Sequence, residues 1–211
     1  MSDTQTAAIY ETRLELLDFV IAVFADAPDS EFVSELLEGD IELPDDEIEP
    51  TLDQGFENVE RFRQQYTDRP LDEVVDHLEA EYTRVFVGPR PPVLPHETTY
   101  RDDTDFIGQG LAEVEESYAA AGWTPPSDYG EENDHIAVEA TFLRNLIQWQ
   151  YDGERPAVGF ERVFIEEHLQ KWVDMFREDV YEETDEPLFR AGADVFVGAV
   201  TFEDEVVSQI L

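Results

Sequence analysis

The stretch 131-EENDHIAVEATFLRNLIQW-149 decides how this chain is read. Beyond His135 its apolar side chains return at intervals of three and four, the period of a strongly amphipathic helix. Asp134 stands where the N-cap of that helix belongs. There a carboxylate accepts bonds from free N–H groups and meets the positive end of the helix dipole. His135 and Glu139 lie four apart and share one face of the predicted helix, which is half of a metal-ligand pattern. The residues alone leave three readings of the Asp-His pair: a helix cap, half of a catalytic or metal site, or a contact for a partner.

Outward from this segment the periodicity stays helical. Helices are predicted over about 5–26, from the Asp29-Ser30 cap to Leu37, and over 51–66, 70–87, 105–121, 134–152, 156–182 and 187–210. Gly39, Gly122 and Gly153 stand at C-terminal stops, and Pro70 stands at a first helical position. Gly55 weakens the third helix on propensity alone. No alternating strand pattern longer than a few residues occurs, and no internal repeat. The expected fold class is therefore all-α, one compact helical domain of about eight helices over residues 1–211. The irregular segments 40–50, 87–103 and 123–133 serve as connections. The second, GPRPPVLPHET, packs four prolines and a glycine into eleven residues.

Composition narrows the function classes. The chain carries 52 Asp and Glu against 13 Lys and Arg, a formal charge of −39, and Lys171 is its one lysine. With 12% aromatics and clear apolar periodicity it is a folded protein, not an acidic disordered tail. Acidity spread along the whole length fits a protein from a high-salt cytoplasm, where salt screens self-repulsion. Nothing resembles a basic stripe, which argues against nucleic acid. Without cysteine there are no disulfides, thiol nucleophiles or cysteine metal sites. The N-terminal residues lack a basic n-region and a cleavage site, and no apolar run approaches the ~20 residues of a membrane span. A cytoplasmic protein is expected. No P-loop and no G-x-S-x-G elbow occurs. His77, His96 and His168 stand alone in sequence, so a metal site or enzyme centred on His135 and Glu139 is the alternative, not the leading, reading. Tyr82, Phe86, Tyr100, Trp123 and Trp149 flank the irregular loops, where aromatics beside Pro-rich turns form peptide grooves.

Four segments, taken in order, resemble one family. Residues 79–100, EAEYTRVFVGPRPPVLPHETTY, are similar to the "E-Y-x-x-L-F-x-G-P…P-P-Y-E-S-x-Y" stretch of the TorD/DmsD/NarJ redox-enzyme maturation chaperones. Residues 118–126, YAAAGWTPP, resemble the turn before that family's signature, and 132–142, ENDHIAVEATF, resemble the signature "E-P-D-H-I-x-x-E-x-x-F". Residues 164–176, FIEEHLQKWVDMF, resemble its late "F-x-x-x-H-L-x-x-W" helix. Asn133 stands where the signature has proline, and Leu94 and His96 stand where the loop has proline and an aromatic.

The resemblance implies a non-catalytic, all-helical cytoplasmic chaperone with no cofactor of its own. Its partner would be an immature molybdenum-dependent oxidoreductase subunit, met at its twin-arginine signal peptide and held until cofactor insertion is complete. Carried over by position, Asp134, His135, Tyr82, Phe86, Pro95, Glu97 and Tyr100, with Glu139 in the signature helix, would meet the client. Asn133, His168 and Trp172 would complete the structural motif. A monomer or a domain-swapped dimer, with 123–133 as the hinge, is compatible with the family.

Overall fold

The computed structural model describes residues 3–41, 43, 48–102, 108–127 and 129–210. The beginning of the helix predicted from 105, and parts of the 40–50, 87–103 and 123–133 connections, lie outside them.

Local chemistry sets most of the element ends. Helix α1 runs Asp3–Phe24 and α2 runs Ser30–Glu38. The Asp29 carboxylate caps α2 by accepting from the N–H groups of Glu31 and Phe32 at 3.0 and 2.9 Å. Gly39, at φ +81°, closes it in the left-handed conformation that only glycine adopts without strain. Helix α3, Pro50–Tyr66, opens with Glu49 accepting from Thr51 and Leu52, both at 2.9 Å. Helix α4, Leu71–Tyr82, begins one residue after Pro70 and ends in a π-helical turn, Thr83–Val87. A short α5, Glu97–Tyr100, forms inside the Pro-rich connection, where sequence periodicity gives no signal for a helix. Then come α6, Gln109–Ala121, and α7, Ile136–Tyr151, the helix of the opening stretch.

The predicted 156–182 helix is two helices. Helix α8, Pro156–Glu167, and α9, Val173–Glu183, are separated by a 3-10 turn, Leu169–Lys171. No proline or glycine marks this break. It comes from burial: His168 leaves helical geometry at φ −126°, ψ −78°, and both His168 and Trp172 turn inward to polar partners described below. Helix α10, Pro187–Ile210, completes the chain as expected.

Helix α10 is the centre of the bundle. Leu188, Phe189, Ala191, Val195, Phe196 and Ala199 are all buried, and residues 191–200 are buried on every side of the helix. It packs against α1, α3, α8 and α9, while α7 lies along α1 and α8. The α3–α10 crossing is close because of two glycines. A Cβ on Gly55 would stand 2.8 Å from a Val195 methyl, and one on Gly198 would stand 2.6 Å from the Leu52 nitrogen. Gly55 therefore costs helix propensity but permits the close approach of α3 to Val195. Among the described residues the helices dominate, and the extended contact consists of one isolated antiparallel bridge, His96 to His135. That bridge marks the site.

Candidate functional site

The Pro-rich connection does not hang free. Val93 is buried and its N–H donates to the Val85 carbonyl at 3.2 Å, which fixes one end. From there residues 93–101 run as a strap across the start of α7. Ile136 N–H donates to Pro95 O at 2.9 Å, and Glu97 N–H donates to Asp134 O at 3.0 Å. These two bonds make the bridge.

Asp134 is a cap, though of a different helix from the one expected. Its carboxylate accepts from the Thr98 hydroxyl at 2.5 Å, the Thr98 N–H at 3.2 Å and His96 Nδ1 at 3.0 Å, so it caps the first turn of α5 across 36 residues of chain. Burial by itself would raise its pKa, but the bonds from His96 and Thr98 outweigh that and hold it below the ordinary aspartate value. The N-cap of α7 is His135, one residue later, whose Nδ1 accepts the Ala137 N–H at 3.1 Å. The Tyr129 hydroxyl lies 2.9 Å from the same nitrogen, and the His96 ring meets the His135 ring edge-on at 5.0 Å. Burial, and then the neighbouring His96, push the His135 pKa down to about 3, so its imidazole is neutral. Both residues of the pair are only 2% exposed.

Beneath the strap lies a second layer, with Glu97, Glu139, His168 and Trp172 buried at its centre. Glu97 accepts from Arg101 at 2.8 Å and from His168 Nδ1 at 3.0 Å. The other His168 nitrogen faces the Ser117 hydroxyl at 2.8 Å, and Arg101 also pairs with Glu113 at 2.9 Å. Glu139, 0% exposed, accepts the Trp172 indole N–H at 3.0 Å. Burial, and then the charge of Glu97, raise the Glu139 pKa well above the ordinary value, and its second oxygen, Oε1, is buried without a hydrogen-bond partner. Tyr100 stacks on Trp172 at 5.8 Å and donates to Asp179 at 3.0 Å. Tyr118, buried, donates to the Asn133 carbonyl at 2.8 Å, while the Asn133 side chain donates to Glu115 at 2.6 Å. Asn133 is thus held by side-chain bonds where proline would hold the turn by its ring.

The fold therefore gathers Asn133, Asp134, His135, Pro95, Glu97, Tyr100, Glu139, His168 and Trp172 into one corner. Tyr82 and Phe86 sit in an adjoining aromatic layer. Phe86 meets Phe24 and Phe189 edge-on at 5.6 and 5.4 Å, and the Tyr82 hydroxyl donates to the Phe24 carbonyl at 2.9 Å. The Tyr129 hydroxyl lies 3.2 Å from the next carbonyl, Ala25, so the corner is also tied to the end of α1. Sequence reasoning missed Thr98, Arg101, Glu113, Ser117 and Tyr129, and treated His96 as solitary. Arg101 stands four residues from Glu97 and Tyr129 six from His135, but the partners of Thr98 and Ser117 are 36 and 51 residues away, where no spacing rule connects them.

His135 Nδ1 and the Glu139 carboxyl point to separate partners, and among the described residues no group of three or more His, Asp or Glu is arranged to hold a metal ion. What reaches solvent is the outer edge of the strap: Leu94, Thr98 and Thr99 are exposed, and His96 keeps 17% of its side chain in water.

The family of the nitrate reductase delta subunit matches residues 49–178, which hold the strap, the α7 signature and the His168–Trp172 turn. The chain belongs to that family. Its members, the NarJ/TorD-like chaperones, mature molybdoenzymes by acting on their catalytic subunits and are not themselves catalysts. No curated protein matches the chain. The segments that resemble the family's motifs thus contain residues that lock a strap to a helix start. Among the described residues no helix is long and apolar enough to cross a membrane.

Proposed function

We propose that this chain is the cytoplasmic maturation chaperone of one exported molybdenum-dependent oxidoreductase. In this reading it holds the immature catalytic subunit by its twin-arginine signal peptide until the cofactor is in place. The observation that carries the reading is the strap. In a chain whose family acts on another protein, the segments that resemble the family's motifs build a buried scaffold that presents the edge of 93–101 to solvent.

Asp134, His135, Glu97 and Glu139 then serve the client by shaping that edge, with Pro95 and Tyr100 as its anchors and Tyr82 and Phe86 as its aromatic backing. Leu94, His96, Thr98 and Thr99 would make the direct contacts. The arginines of a signal peptide would pair with nearby carboxylates such as Glu131, which lies 3.8 Å from His96 Nε2 and is half-exposed.

Calorimetry tests this with the N-terminal peptides of the molybdenum oxidoreductases encoded in the source genome. One of them should bind. Asp134→Ala, which frees α5 and His96, should weaken that binding about tenfold or more, the range of a lost ordered contact. If none of these peptides gives heat with the wild-type chain, the reading is wrong.

A further inference from the structure

The break between α8 and α9 is held from outside the segment that breaks. Residues 164–176, FIEEHLQKWVDMF, contain no proline or glycine and are rich in good helix formers. Their apolar stripe runs straight through the break: Ile165, Leu169, Trp172, Phe176 and Val180, all buried, return at intervals of three and four. Glu167 and Lys171, at i and i+4, pair across it at 3.0 Å, as they would on an unbroken helix. Yet Lys171 and Trp172 donate three residues back, to the carbonyls of His168 and Leu169 at 2.9 and 3.2 Å, in a 3-10 turn. Such a turn inside a helical sequence marks a hinge. Other elements hold this one. His168 Nδ1 lies 3.0 Å from Glu97 and its Nε2 2.8 Å from the Ser117 hydroxyl, while Trp172 donates to Glu139 and stacks on Tyr100. Ser117 and Glu139 stand on α6 and α7, but Glu97 and Tyr100 stand on α5, within the strap. The strap thus supplies one hold on each of the two residues, His168 and Trp172, that leave helical geometry.

We propose that residues 156–183 form a switch, broken at 168–172 while Glu97 and Tyr100 of the strap sit on it and one continuous helix once they lift. Local sequence and tertiary contacts pull this segment in opposite directions, and a conflict of that kind gives an element two discrete arrangements. Straightening keeps the apolar stripe on one face and lets the amides of 169–172 donate four residues back, as in any α-helix. Helix α9 moves with the change, and it reaches the centre of the bundle. Phe176 meets Phe24 of α1 edge-on at 5.4 Å, and Trp172, at the head of α9, meets Phe196 of α10 at 6.0 Å. Lifting the strap is thereby reported to α1 and α10. Contact with the strap shifts the balance only as far as it favours the lifted form. A client at the strap edge is the natural trigger, a use that rests on the chaperone reading; the switch itself does not.

The test reads Cα chemical shifts and amide exchange by NMR on the full-length labelled chain. In the wild type the shifts of 168–172 should fall outside the helical range, with those of 156–167 and 173–183 inside it. Glu97→Ala removes the strap's hold on His168. His168→Leu removes the same bond from the other side and leaves a strong helix former in an apolar site. Each variant should bring 168–172 into the helical range and slow their amide exchange about tenfold or more, through the added intrahelical bonds. Ser117→Ala leaves the strap seated and should keep the break. Shifts at 168–172 that stay non-helical in both strap variants, in a folded chain, would overturn the proposal. So would unfolding of both, because the segment then has no second folded arrangement, and so would straightening by Ser117→Ala alone. A signal peptide that binds the wild type in calorimetry should drive the same change. Binding without it removes the coupling to the client and leaves the chaperone reading standing. Silence from every signal peptide removes that reading, while the two strap variants still decide the switch.

Discussion

His135 is held neutral inside the fold, and that has a measurable consequence in acid. Its ordinary pKa of 6.5 falls to about 3 because the ring is buried, because His96 stands beside it, and because Nδ1 must stay unprotonated to accept the Ala137 N–H. The folded value is depressed, so the stabilisation is fully present above pH 6.5 and is lost as pH falls toward 3. The whole difference is worth about 5 kcal/mol, and about 2.7 kcal/mol of it has gone by pH 4.5. The informative variant is His135→Asn. Asparagine caps as well as any residue and should keep the bond to Ala137, but it does not titrate. At pH 7.5 it should cost about 1–2 kcal/mol for the lost Tyr129 and His96 contacts. By pH 4.5 the gap to the wild type should close or reverse. Urea unfolding at several pH values between these limits measures both slopes, and proton NMR follows the His135 ring directly. Parallel acid slopes for the two proteins, or a His135 ring that titrates near 6.5, would refute the argument.

Two further predictions concern the scaffold. Arg13 lies buried between Glu203 at 2.6 Å and Glu161 at 3.0 Å, and Gln150 donates to Glu161 at 2.6 Å. One cation between two carboxylates leaves one acid in excess, and burial together with the charge of Glu203 raises the Glu161 pKa to about 8. A raised carboxyl stabilises below its ordinary value and loses that contribution as pH climbs through about 8. The wild type should therefore lose a few kcal/mol between pH 5 and 9. Glu161→Gln should flatten that decline in thermal melts, and an unchanged decline would sink the assignment.

Gly55→Ala should destabilise by about 1–3 kcal/mol despite the better helix propensity of alanine, because the new methyl meets Val195. A melting temperature at or above that of the wild type would show that the α3–α10 crossing can spread without cost.

Sequence alone determined the elements whose causes are local. Asp29, Gly39, Gly122 and the start of α10 at Pro187 act within a few residues of themselves, so their caps and stops could be read directly. The four motif segments likewise sufficed to indicate the family, and the family match covers all four of them. The tertiary structure decided what those residues do. Asp134 has a capping side chain in either case, but the free N–H it meets belongs to Thr98, 36 residues earlier. Glu139 reads as half of a metal-ligand pattern by its spacing from His135. It is instead a fully buried carboxyl, bonded to Trp172, 33 residues on, with its pKa raised by burial and by the charge of Glu97. The break between α8 and α9 has no breaker residue; it exists because His168 reaches Glu97 across 71 residues and Trp172 reaches Glu139. Gly55 looks like a flaw until Val195 is set against it. Hydrogen bonds within one turn are fixed by residue type and spacing. Desolvation and the partners of a buried charge depend on which distant segments come together, and only the packed bundle specifies that.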